Sequence, residues 1–282
     1  MAAGDFHLHS THSDGKLTTQ QLADLVVRNG LRVLALSDHD TTAGIREMAA
    51  ALAPHGIQLI PAVELSTDIP GSEVHILGYF MDIDDPAFQA ALARFREGRI
   101  GRGQRMIAKL QALGLDVSWE RVQEIAGDAS VGRPHVAQHL VERGYVASIP
   151  EAFERYIGRD GPAYAEREKM TPAEAVALIR NAGGLAVMAH PHYTPGYVEI
   201  LAELKHQGLT GMEVYYRDLP PESVAELLSV ARRLDLLPTG GSDFHGLGNP
   251  GERLPGDIPL PDDAIDALLT AGSGCAQPMV RV

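Results

Sequence analysis

Short, largely apolar runs alternate with segments of helical periodicity along most of the chain. Val33–Leu36, Gln58–Val63, Leu185–Ala189, Gly211–Tyr215 and Leu236–Gly241 are too short for stable helices and are bounded by glycine, proline or polar turns, so they predict buried strands. Val74–Tyr79 predicts another strand, with His75 inside it. Between them lie helical signals. Residues 18–28 put Leu22, Leu25 and Val26 on one face and end before Gly30, and a helix over about 42–55 is closed by Gly56. Thr171-Pro172-Ala173-Glu174 is a capping box with proline at the first helical position, opening a helix that stops at Gly183-Gly184. Two more helices are predicted over 197–206 and 222–234. Alternating strands and helices are what a parallel α/β barrel or sheet requires.

Residues 83–168 break that alternation and read as helical throughout. Gly114, Gly127, Gly144 and Gly158 close four helix-like segments, Ser118 is placed as an N-cap, and Ser148-Ile149-Pro150-Glu151 forms another capping box. We expect an inserted helical subdomain over the mouth of a barrel built from 1–82 and 169–282.

The polar residues that end the strands carry the chemistry. His7 and His9 sit one residue apart on an extended segment, so both imidazoles face the same side, and Asp14 follows in a polar turn that can curl back toward them. Four internal runs end in good metal ligands: His39, Glu64, His190, and Asp243 with His245. In parallel α/β barrels the carboxyl ends of the strands converge on one face, which brings such residues together.

Composition narrows the choice. The chain has 282 residues, 45% of them hydrophobic, enough for a sizeable core. Its 37 acidic and 24 basic residues leave a net charge of −13, which argues against a whole-surface nucleic-acid or membrane binder. Cys275 is the single cysteine, so neither an internal disulfide nor a thiolate-rich metal site can form. There is no apolar run of membrane-spanning length and no signal-peptide pattern, and a cytoplasmic protein without a stable protein partner is expected.

His7-Leu8-His9 with Asp14, Ser37-Asp38-His39-Asp40, Glu64, His75, Ala189-His190-Pro191 and Gly241-Ser242-Asp243-Phe244-His245 together resemble the PHP (polymerase and histidinol phosphatase) domains, relatives of the amidohydrolases. The resemblance implies an α/β fold, a distorted (β/α)7 barrel, holding two or three divalent ions. One ion would take His7, His9, Glu64 and Asp243; a second would share Glu64 and add His75 and His190; a third would take Asp14, His39 and His245. Imidazole and carboxylate donors suit manganese first, with zinc, iron or magnesium as alternatives. A bridging Glu64 would hold two ions close enough for the water between them to ionise near pH ~7 and attack a phosphate ester. Asp40, His192 and Asp38 are the candidates for proton transfer or for a hydrogen bond that supports the ligands.

The helical insertion adds an anion signal. Arg94, Arg96, Arg99, Arg102, Arg105 and Lys109 share residues 94–109 with one acid, Glu97, and helical spacing aligns Arg99, Arg102 and Arg105. In Gly132-Arg133-Pro134-His135 an arginine stands at a helix start, beside free backbone N–H groups suited to phosphate. This insertion, with Gly144-Tyr145-Val146 after it, resembles the branch acting on nucleoside 3′,5′-bisphosphates and on the 5′ ends of short RNAs. Arg133, His135, Arg99, Arg102 and Tyr193 are the expected substrate contacts. The expected activity is a phosphatase for a nucleoside 3′,5′-bisphosphate, with 5′–3′ exonuclease action on short RNA second, a histidinol-phosphate-type phosphatase third, and a non-catalytic metal-stabilised module outside the enzyme class. His55, His206, His139, Trp119 and Cys275 read as surface or packing residues.

Overall fold

The computed structural model describes residues 3–70, 72–127, 129–166, 170–247 and 251–277. The apolar runs form seven strands: β1 (Gly4–Leu8), β2 (Val33–Leu36), β3 (Gln58–Ile69), β4 (Ser72–Tyr79), β5 (Leu185–Met188), β6 (Gly211–Tyr216) and β7 (Leu237–Gly241). They lie side by side in chain order, and a bridge between Leu8 and Phe244 brings the last around to the first. The result is a nearly closed seven-stranded barrel with helices packed around it.

One strand runs the other way. β4 is antiparallel to both β3 and β5, whereas β1–β3 and β5–β7 pair in parallel. The all-parallel expectation fails here for a simple reason. The β3–β4 ladder runs down to the pair Ile69–Ser72, and so short a connection can join only antiparallel strands. β3 also runs past the predicted Val63, because Glu64, Ser66, Thr67 and Asp68 are buried polar residues whose backbone pairs with β4. Glu64 therefore lies within a strand, not at its end.

Successive residues of the strands face opposite layers. Leu34, Leu36, Val63, Leu65, Ile76, Met188 and Val214 pack with helices α1 (Thr19–Arg28), α2 (Ile45–Leu52), α7 (Pro172–Asn181), α8 (Tyr197–Gln207) and α9 (Pro221–Arg233). Phe6, Ala35, Ile60, Ala62, Leu77 and Tyr79 turn to the other side, where Ala264, Ile265 and Leu268 of α10 (Asp262–Gly272) complete the layer. The sequence pattern did not predict α10. Thr18 and Thr171 both form the reciprocal caps that open α1 and α7.

The remaining helices are α3 (Pro86–Ala112), α4 (Trp119–Ala126), α5 (Arg133–Glu142) and α6 (Ile149–Ala152), the last running into a π turn, Phe153–Ile157. Phe88, Leu92 and Phe95 of α3 join the main core, while Met106, Ile107 and Leu110 join a second one with Val122, Val136, Leu140 and Ile157. Trp119 packs flat enough on Gly103 that a Cβ there would lie 2.5 Å from its ring, as a packing role requires. Ser118 caps α4 as expected. Glu151 does not close a box with Ser148; it accepts the Ala147 N–H at 2.7 Å. Among the described residues no helix is long and apolar enough to cross a membrane.

Candidate active site

Glu64 is the centre of the cluster. Its Oε2 lies 3.2 Å from His7 Nε2, 3.3 Å from His9 Nε2 and 3.2 Å from His39 Nδ1. Its Oε1 lies 2.7 Å from His75 Nδ1 and 3.2 Å from His190 Nε2. Asp243 Oδ1 lies 3.3 Å from His7 Nε2 and 3.2 Å from His9 Nε2, and Asp14 lies 3.3 Å from His245 Nε2. Residues from six strands or strand ends thus meet at one rim. Because β4 is antiparallel, His75 reaches that rim from inside its strand, opposite Ser66.

Eight of the nine residues fall into groups whose ligand atoms lie within 4.8 Å of one another: His7, His9, Glu64 and Asp243; His9, Asp14, His39 and His245; and His39, Glu64 and His75. The first is the expected quartet, and the second is the expected trio with His9 added. In the third His39 replaces His190, which still touches Glu64. Buried ligand atoms without hydrogen-bond partners include His7 Nε2, both ring nitrogens of His9, Asp14 Oδ1 and His39 Nδ1. Such orphans are costly unless something coordinates them, and lone pairs on imidazole and carboxylate are what a divalent cation needs. The residues fit metal binding.

Electrostatics agree with this. Burial alone would raise the carboxyl of Glu64, but the surrounding His39, His7 and His75 hold it well below the usual range. Asp14 and Asp243 are likewise held low by their histidine neighbours against the effect of burial. His39 is pushed down to about 3, chiefly by burial, and keeps a free lone pair. His9, which burial would lower, is lifted to about 10 by the Asp243 and Glu64 carboxylates beside it, whose charge a bound cation would take over.

An outer ring holds these ligands, and sequence reasoning missed most of it. Glu213, fully buried on β6, lies 3.0 Å from His7 Nδ1 and accepts the His190 N–H at 2.7 Å. A carboxylate between two apolar neighbours, Met212 and Val214, was the available signal. Tyr216 and Arg217 each donate to Asp243 Oδ2 at 2.7 Å, which leaves Oδ1 facing the histidines. Asp5 accepts from Ser242 N at 3.0 Å and Gly256 N at 3.1 Å, and Asp38 accepts from Ser10 and Ser13. Asp40, His190 and Asp243 all adopt positive φ (53°, 30° and 51°), so local backbone strain is concentrated around the cluster.

Across from the cluster a cavity of ≈180 Å³ is lined by Asp14, His39 and His75 on the barrel side and by Arg99, Arg102 and Arg133 on the helical side. A larger open groove of ≈690 Å³ lies near Arg32 and Asp262, but it touches none of the clustered histidines. The basic run serves structure more than expected. Arg96, Arg102, Arg105 and Lys109 hold the backbone carbonyls of Asp40, Ala165, Glu166 and Tyr164.

Other expected contacts are rearranged. His135 Nδ1 accepts the Gly132 N–H at 2.9 Å, so its ring closes the start of α5. Asp40 is fully buried and takes Arg99 Nε at 2.5 Å, so its carboxylate positions an arginine and is not free to carry a proton. His192 is exposed, two residues past His190, with its ring edge-on to Tyr193. Tyr193 is 61% exposed and lies edge-on to Tyr216, beside the metal-facing residues.

A nearly closed barrel with a histidine–carboxylate cluster on its rim, facing arginines across a small cavity, is the arrangement of a metal-dependent phosphoesterase. The chain belongs to the PHP domain family, whose model matches residues 5–232. It is 34% identical over 259 residues to the 3′,5′-nucleoside bisphosphate phosphatase of Chromobacterium violaceum, covering 90% of this chain and 91% of that one. It is 35% identical over 248 residues to the 5′-3′ exoribonuclease Rnm of Salmonella typhimurium, covering 86% and 84%. Among solved structures, an amidohydrolase from Chromobacterium violaceum with bound sulfate and no metal superposes with a TM-score of 0.86 at 31% identity, covering 98% of each chain.

Proposed function

We propose that the chain removes one phosphate from a nucleoside 3′,5′-bisphosphate. The observation that carries this reading is the ≈180 Å³ cavity, which joins the histidine–carboxylate cluster on one wall to three arginines on the other. A substrate with phosphates at both ends of a ribose has one for each wall. His7, His9, Glu64 and Asp243 would hold one ion, Asp14, His39 and His245 another, and Glu64 with His75 and His190 a further one. When bound, such ions supply an activated water and neutralise charge on the phosphate oxygens. Manganese is our choice, on the all-N,O donor set.

The protein's own residues do the rest. Glu213 and Asp243's partners hold the ligands in orientation, and burial of the cluster keeps bulk water from competing. Arg133 and Arg102 receive the second phosphate, and Arg99 is fixed between Asp40 and Ser66, its Nη2 donating to Ser66 Oγ at 2.8 Å. The second reading is 5′–3′ exonuclease action on short RNA, favoured by the 35% identity to the Salmonella enzyme, beside 34% to the phosphatase.

The test compares manganese-loaded protein on adenosine 3′,5′-bisphosphate, AMP and a short 5′-phosphorylated RNA. Preference for the bisphosphate over AMP should fall in Arg133→Ala by about 10- to 100-fold, the value of one or two charge-assisted hydrogen bonds. Equal turnover of AMP by the wild type would sink the two-phosphate reading, and stepwise mononucleotide release from RNA at comparable efficiency would replace it with the exonuclease.

A further inference from the structure

Every arginine facing the cavity already has a carboxylate. Arg99 is paired with Asp40, which is buried and anchored further by the Ser66 N–H at 3.3 Å. Arg133 and Arg102 converge instead on Glu73, two residues before His75 on β4. Glu73 Oε2 accepts from Arg133 Nη2, and Oε1 lies 3.5 Å from Arg102 Nη2. The two side chains are only 19% and 10% exposed, so their charges are poorly screened and a partner there matters. Glu73 itself is 21% exposed and lines the cavity, so its carboxylate can turn toward solvent as Asp40's cannot.

An anion that enters must take these guanidiniums from Glu73. Exchanging a carboxylate for a phosphodiester swaps one negative charge for another at similar distance and gains little. A terminal phosphate monoester carries close to two charges and three acceptor oxygens at neutral pH, and it wins the exchange. We propose that Glu73 is a specificity-determining counter-ion, which yields Arg133 and Arg102 to a phosphate monoester and withholds them from a diester. The inference deepens the bisphosphate reading and rests on it, because the second phosphate of a bisphosphate is a monoester.

The experiment uses manganese-loaded wild type, Glu73→Gln and Glu73→Asp, with two readouts. The first is the ratio of kcat/KM for adenosine 3′,5′-bisphosphate to that for the same nucleotide with its non-scissile phosphate methylated to a diester. The second, independent of turnover, is the ratio of affinities for sulfate and methyl sulfate by calorimetric titration, a dianion and a monoanion of similar shape. In Glu73→Gln both ratios should fall about tenfold, through tighter binding of the monoanionic ligands, and Glu73→Asp should keep them near wild type. Unchanged ratios in Glu73→Gln overturn the proposal, and so does an equal fall in Glu73→Asp, which would assign the effect to shape. If wild type turns over neither nucleotide, the bisphosphate reading fails, while the sulfate ratio still decides whether Glu73 discriminates by charge.

Discussion

Replacing Glu213 by glutamine tests whether the buried outer ring sets metal affinity. Glu213 Oε1 lies 3.0 Å from His7 Nδ1, and an Nδ1–H donated to it leaves the lone pair on Nε2, the atom that faces Glu64 and Asp243. The other oxygen takes the His190 N–H at 2.7 Å. Glutamine fills the same volume but offers one acceptor, so its amide NH2 must oppose either His7 Nδ1–H or the His190 N–H. One charge-assisted hydrogen bond is lost and a donor is set against a donor, at a cost of about 2 kcal/mol, or roughly 30-fold in metal affinity. Competition of manganese against a chelating dye measures this directly, with thermal unfolding of the metal-free variant as the control for folding. A dissociation constant within twofold of wild type would refute the reasoning and leave Glu213 a role in barrel stability alone.

Three further outcomes follow from the same geometry. Removing bound ions with a chelator should lower the unfolding temperature by about 5 °C or more, since saturation at a hundredfold excess contributes about 2.7 kcal/mol; identical melting with and without metal would mean that the cluster holds none in solution. Asp5 is pushed up to about 6 by burial, against the hydrogen bonds from Ser242, Gly256 and His7. Because this lies above its ordinary value, its contribution is complete at low pH and is lost as pH rises through about 6, so Asp5→Asn should flatten the stability decline between pH ~4 and ~7 by up to about 3 kcal/mol in urea unfolding; parallel slopes would contradict this. In Gly241→Ala the new Cβ would lie 2.5 Å from His7 N and 2.6 Å from His7 Cβ. That clash should cost about 1–3 kcal/mol and weaken manganese binding together, and unaltered binding by titration would show that His7 tolerates displacement.

The strands were legible because each is buried on both faces and therefore reads as an apolar run; Val33–Leu36 matches residue for residue. The ligands were legible because ionisable side chains at such places need partners. Strand direction was not, since a hydrophobic run has no polarity and only the shortness of the turn before Ser72 reverses β4. Nor was the extent of β3, because its buried Ser66, Thr67 and Asp68 look like a loop until β4 pairs with them; Thr67 Oγ1, for one, donates to Val74 O at 2.5 Å. The arginine run was only half legible, since a sequence does not show the carbonyls of Asp40, Ala165 and Glu166 that Arg96, Arg102 and Arg105 also hold. His135 is ambiguous for a similar reason: a ring three residues after Gly132 can cap its own helix, as it does here, or face a ligand, and the spacing suits both.

The reversed strand also bears on the order in which the molecule folds. β3 and β4 are neighbours in sequence, so their hairpin is a local structure that closes quickly and carries Glu64, Ser66, Glu73 and His75 as one unit. His7 and His9 come from the opposite end of the chain to Asp243 and His245, and the Asp5–Ser242 hydrogen bond that joins those ends spans 237 positions. Such a contact is entropically expensive and forms late. Two of the nine ligands are thus set together early, and the sites that use Asp243 or His245 are complete only when the barrel shuts, after the seventh strand has emerged. Ions then act as a latch on a finished barrel and not as a seed for it, and refolding in excess manganese should slow unfolding while leaving the folding rate unchanged.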